Sequence, residues 1–188
     1  MTRKTFKFTL IAVLLVFSMV ILGCPDGNGN TDPALNGTWA SVGGGGRMYL
    51  HNGSFTMSYN DNGTFKDTMR GTYTTSGNTM TSTVTLVHRN NLMDESGELP
   101  PGFNASTEWF NYSQYVSYYR DIYKSVLDLQ LSNNIITQAQ YNESLAEFDT
   151  ESSASRTSTY AISGDTLTVT TTNGPDNTPV IEIYTRVN

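Results

Sequence analysis

Cysteine occurs once in these 188 residues, at Cys24, and histidine twice, at His51 and His88. A lone cysteine cannot close a disulfide within the chain. Neither histidine stands at a metal-ligand spacing, so the sequence sets out no metal site and implies no cofactor. Basic residues are scarce too: 11 Lys and Arg face 17 Asp and Glu. That balance excludes the basic surface that nucleic acid or anionic headgroups need. Asp94, Glu95 and Glu98 beside Pro100 read as a wet loop rather than a paired acid and base. Without a nucleophile and its base, a metal set or converging carboxylates, the expected class is not an enzyme.

Long apolar runs are also missing, with one exception. Met1-Thr-Arg-Lys-Thr-Phe-Lys7 is positive, Phe8 to Leu22 is apolar over 15 residues, and Ile21-Leu22-Gly23-Cys24 follows. A run this short behind basic residues is an export signal rather than a membrane span. Its last four residues resemble the lipobox of bacterial lipoproteins, which implies that Cys24 is lipidated and becomes the new N-terminus. An exported chain commonly uses cysteines as staples, so a single one at the processing point fits an acyl acceptor. Acyl chains contribute about 0.8 kcal/mol per buried methylene, and two or more anchor a protein stably. The expected location is the bacterial cell envelope, lipid-anchored to a membrane on its periplasmic or surface face. Loss of residues 1–23 removes Arg3, Lys4 and Lys7, so 8 basic residues face 17 acidic ones. The remainder is long enough to bury roughly 70% of its unfolded surface in one domain.

Residues 24–34 read as a flexible tether, since Pro25-Asp-Gly-Asn-Gly-Asn-Thr-Asp-Pro33 has no apolar residue. Its Asp26, Asn28, Asn30 and Asp32 imitate a calcium loop, but Gly37 falls where that loop needs a bidentate glutamate. No metal is expected there.

What the chain does have is a hairpin written twice. Tyr73-Thr-Thr-Ser-Gly-Asn-Thr-Met-Thr81 is matched by Tyr160-Ala-Ile-Ser-Gly-Asp-Thr-Leu-Thr168. After each turn threonine alternates with apolar residues: Met80, Ser82, Val84, Leu86 and His88 share one face, as do Leu167 and Val169. Period-two alternation marks antiparallel sheet with one buried face. Asn52-Gly53 and Asn62-Gly63 are hairpin turns. Gly43 to Gly46 precedes a strand, not a helix, so it reads as a bend rather than a phosphate cradle. Eight or nine short strands at this spacing predict a sandwich or a barrel.

The order of several short motifs narrows the choice. Gly37-Thr38-Trp39 opens the first strand, Arg186 stands in the last, and Phe55, Asn62-Gly-Thr-Phe65, Gly71-Thr-Tyr73 and Ser76-Gly-Asn-Thr79 come between. This series resembles the lipocalin-like domains of bacterial lipoproteins, within the calycin superfamily, over residues 35–88 and 157–188. The resemblance implies an antiparallel barrel of about eight strands over residues 35–188, with the basic residue packed across the tryptophan.

Residues 89–156 break the strand pattern and predict a helical hairpin inserted in the barrel. Trp109, Tyr112, Val116, Tyr119, Tyr123, Leu127 and Leu131 recur at steps of three and four, which makes a helix of about 25 residues. A second line, Tyr115, Tyr118, Ile122, Val126 and Leu129, widens its apolar face. Asn133-Asn134 can end it, and Thr137 with Gln140 forms a capping box for a second helix burying Tyr141, Leu145 and Phe148. Either the hairpin packs on the outside of the sheet, or it offers Trp109, Tyr112, Tyr115, Tyr119 and Tyr123 as a lid or a partner face.

A barrel of eight strands is filled by side chains or holds one small ligand. The inward candidates are Phe55, Met57, Tyr59, Tyr73, Met80, Val84, Leu86, Tyr160, Ile162, Leu167 and Val169. They can pack as plain core, or line a site for a small apolar or amphipathic molecule. Two functions therefore stand side by side: a ligand binder anchored to the membrane, and a packed scaffold whose tyrosine-rich insert contacts an envelope protein.

Overall fold

Residues 31–93, 97–172 and 178–187 are described by the computed structural model; Cys24 and most of the expected tether lie outside them. In chain order the elements are β1 (Gly37–Ser41), β2 (Gly46–His51), β3 (Ser54–Asp61), β4 (Thr64–Ser76), β5 (Thr79–His88), β6 (Trp109–Asn111), α1 (Tyr112–Ser132), α2 (Gln138–Glu151), β7 (Ser155–Ser163), β8 (Thr166–Thr171) and β9 (Val180–Val187). Two Asn-Gly pairs fold the first half of the sheet. Asn52 and Gly53 have φ of 47° and 83°, Asn62 and Gly63 52° and 90°. Two consecutive left-handed residues make the hairpin turn whose twist matches its flanking strands.

Each strand is antiparallel to its neighbours in the order β1-β2-β3-β4-β5-β7-β8-β9, and β9 pairs back to β1. The sheet thus closes into an eight-stranded barrel, as the motif order implies, and β6 pairs with the end of β5 outside the ring. The core holds Leu35, Trp39, Met48, Leu50, Phe55, Tyr73, Met80, Tyr160, Leu167, Val169 and Tyr184, with Met57, Val84 and Ile162 packed against it. Met48, Leu50 and Tyr184 were not among the inward candidates; β2 and β9 are short and carry Arg47, Glu182 and Arg186, which blurs their alternation.

Two bulges alter the expected register. Across β3 and β4, Met57 pairs with Met69 but Ser58 with Asp67, so Thr68 is the extra residue and β4 bends there. In β5, Gly71 pairs with Val84 but Arg70 with Leu86, leaving Thr85 unmatched. An extra residue reverses the alternation beyond it. Leu86 is therefore corrected to the outer face, beside Arg70, and the fully buried Val87 takes the inward place.

The insert also differs at its start. Trp109 belongs to β6, opposite His88, because the residues before α1 are held extended by pairing to β5; the helix begins at Tyr112 and spans 21 residues. It ends at Asn133, and Asn134 takes the left-handed conformation with φ 54°. The capping box of α2 is present, with Thr137 Oγ1 accepting from Gln140 N at 3.3 Å. Thr137→Ala is expected to cost about 1 kcal/mol, confined to the hairpin. Hydrogen exchange should speed up over 138–142 and stay unchanged in β7 and β8.

Candidate functional site

One end of the barrel is plugged. A single 3-10 turn, Pro33–Leu35, enters it with Leu35 and Trp39 fully buried, and Trp39 Nε1 donates to the Leu35 carbonyl at 2.7 Å. Trp39 pairs with Arg186 across β1 and β9. The Arg186 guanidinium lies 4.2 Å from the Trp39 ring centre and donates to the carbonyls of Asn36 and Ala34 at 2.7 and 2.8 Å. Gly37 is required beside it: its φ is 136°, and a Cβ would stand 2.8 Å from the Arg186 Nη1. Asp32 joins the plug instead of the tether, since the Tyr160 hydroxyl reaches its Oδ2 at 2.9 Å and its own N–H donates to Thr75 Oγ1 at 2.8 Å.

Above the plug the inward face is apolar. Phe55, Tyr73, Met80, Tyr160, Leu167 and Val169 are buried there, and Met57, Val84 and Ile162 are partly buried. Tyr59 follows Met57 on the same face and pairs with Gly46 and Lys66, near the Asp61–Lys66 ion pair. The structure thus gathers the inward candidates into one core except two: Leu86, on the outer face, and Tyr59, which shares the inward face but lies outside the core cluster.

Towards the opposite end the inward face turns polar. Ser158 and Thr171 are buried and joined by a 2.8 Å hydroxyl hydrogen bond. Glu182 pairs with the fully buried Val169 and precedes Tyr184 by two residues, so it shares their inward face. The Tyr184 hydroxyl donates to its Oε2. Burial raises the Glu182 carboxyl to about 7, against an opposing effect of that hydrogen bond. Sequence reasoning passed over Glu182 because a glutamate in a strand ordinarily faces water; its phase with Tyr184 and Arg186 was the available signal.

This proton has a thermodynamic consequence. Its folded value lies above the ordinary 4.5, so the native state binds the proton more tightly than the unfolded one. The stabilisation is full below the unfolded value and is lost as pH rises through the folded value. Inward neighbours are Val169 and Thr171 on β8, Ser158 on β7, Ser41 on β1 and Tyr184 on β9; of these only Tyr184 titrates, and burial pushes its hydroxyl upward. Between about pH 5 and 7.5 the barrel should lose on the order of 1 to 2 kcal/mol, discounted for partial exposure of Glu182. Glu182→Gln removes that loss in thermal melts. His88, lowered chiefly by burial, works in the opposite sense in this window and is common to both proteins.

The tyrosine-rich face of the insert is divided. Trp109 lies 4.8 Å from the His88 ring and beneath Arg70 at 3.8 Å. Tyr112 donates to the Ser152 carbonyl at 3.2 Å, and Tyr123 stacks on Phe148 at 5.2 Å, which closes α1 on α2. Tyr115 and Tyr119 touch at 4.8 Å, and Tyr118 meets Phe103, which meets Phe110 on β6. Burial, with the neighbouring Tyr119 and Tyr112, pushes the Tyr115 hydroxyl up to about 12. Beyond this aromatic half, α1 leaves Ile122, Val126 and Leu129 exposed, and Ile135 in the turn is 69% exposed.

Among the described residues no three His, Cys, Asp or Glu side chains converge to hold a metal, and no helix is long and apolar enough to cross a membrane. No protein-family model matches the chain, and no curated protein matches it. The inward face combines apolar contact with a few hydrogen-bonding groups.

Proposed function

We propose that this is a membrane-anchored, lipocalin-like lipoprotein whose barrel binds a small amphipathic molecule without catalysis. The observation that carries the proposal is the gradient along the inward face, from Trp39, Tyr160 and Leu167 at the plug to Ser158, Thr171 and Glu182 at the far end. An apolar site with a few placed polar groups suits a ligand with a tail and a head. The Gly37, Trp39 and Arg186 geometry supports the lipocalin-like assignment, and the signal ending at Cys24 supports the lipid anchor. Six residues separate Cys24 from Thr31, a reach of at most about 25 Å. The plugged end is tied near Asp32, so the far end is free to face away from the bilayer.

A thermal-shift panel of fatty acids, lipids and haem tests ligand binding; stabilisation by at least one class is expected, and no shift from any of them contradicts it. Radiolabelled palmitate incorporated by the wild type and lost in Cys24→Ser is the expected result for the anchor.

A second reading is favoured by one observation, the exposed stripe of Ile122, Val126, Leu129 and Ile135. It makes the hairpin a contact surface for another envelope protein. Photocrosslinking from position 126 in intact cells should then yield a discrete adduct, and its absence removes this reading.

A further inference from the structure

We infer that Glu182 is the head-group anchor of the barrel, and that the molecule it holds is an amphipathic primary amine. The inference rests on reading the barrel as a ligand binder and names the class of ligand. Glu182 sits one step above the core, directly opposite Val169 on β8. A carboxylate offers about four lone-pair sites, and the partner of Glu182 among the described residues is the Tyr184 hydroxyl.

The protein supplies no cation to it. Eight Lys and Arg follow residue 30, and each is engaged elsewhere in the fold: Lys66, Arg120 and Lys124 with carboxylates, Arg186 and Arg89 with backbone carbonyls, and the others with aromatic rings, Asp67 or the Glu151 carbonyl. A buried carboxylate without a counter-ion is costly. The ligand-free barrel meets that cost by keeping the proton on Glu182, and a ligand's ammonium takes the proton's place.

The adjoining hydroxyls define the head further. A primary ammonium has three N–H donors. Thr171 lies diagonally across from Glu182 on β8, and Ser158 is hydrogen-bonded to Thr171 from β7; diagonal cross-strand side chains lie roughly 7 to 8 Å apart. A nitrogen between them reaches the carboxylate and a hydroxyl together. Met57 and Val84 offer adaptable apolar contact to the tail.

The test compares octylamine, octanol and octanoate, which share one tail and differ in the head. Binding is measured by calorimetry on the full chain kept soluble in an amphiphilic polymer, with Glu182→Gln in the same polymer as the control for partition. The wild type should bind octylamine saturably and at least tenfold more tightly than octanol or octanoate, and Glu182→Gln should lose at least tenfold in octylamine affinity. Saturable octanol or octanoate binding, with octylamine no tighter or unaffected by the substitution, overturns the anchor and leaves the barrel a binder. No saturable binding of any of the three, with the circular dichroism of the folded sheet intact, overturns both.

Discussion

Gly71→Ala is expected to destabilise the barrel by about 3 kcal/mol or more, at the upper end of what overpacking costs. Gly71 lies between Phe55 on β3 and Val84 on β5, at the edge of the β5 bulge. A Cβ there falls inside the carbonyl oxygen of Thr83 and 2.6 Å from Cε1 of the Phe55 ring. The ring is itself buried among core side chains, and the carbonyl belongs to the sheet ladder. Neither can yield without moving a strand. The melting temperature should drop by roughly 10 °C, and Gly77→Ala at a left-handed turn with open space around it should cost about 1 kcal/mol, through backbone strain alone. Equal effects at the two positions would show that strand packing does not set the requirement at 71.

Trp39→Ala is expected to cost about 4 kcal/mol, the usual range for removing a large buried aromatic. The indole is fully buried, donates to the Leu35 carbonyl and carries the Arg186 guanidinium on its face. Its loss also leaves Arg186 held only by the carbonyls of Asn36 and Ala34 and a 3.7 Å ion pair with Asp165. Arg186→Ala alone should cost about 2 kcal/mol, from two hydrogen bonds to a charged donor and the ring contact. Because the two side chains touch, the double variant should lose less than the sum, by about 1 kcal/mol. Strict additivity in denaturant melts would contradict a single plug built from both.

The same plug shows why much of the fold was legible in the sequence. Gly37, Trp39 and Arg186 are short-range signals whose pairing follows once β1 and β9 close the ring, and the Asn-Gly turns fix register locally. Alternation predicted the inward set well where strands are regular, as from Tyr160 to Val169. It failed at Leu86, because the Thr85 bulge depends on how β4 and β5 pair and leaves no mark in composition. Trp109 was drawn into the helix by its spacing, although pairing to β5 makes it strand. The polar layer was the least visible part. Ser158, Thr171 and Glu182 are residue types that ordinarily face water, and only closure of the sheet turns them inward. The apolar half of the inward face could be read from the sequence, and the polar half could not.

The proposal that the barrel carries a small amphipathic molecule is tested most directly by native mass spectrometry of the protein purified from the bacterial envelope. Denaturing the same sample then releases and identifies whatever was bound. One small molecule per chain with an apolar tail and a polar head, retained by the wild type and displaced by excess octylamine, is the predicted result. A bare polypeptide mass from envelope preparations in which the barrel remains folded would contradict it and leave the exposed face of α1 as the surface through which the protein acts.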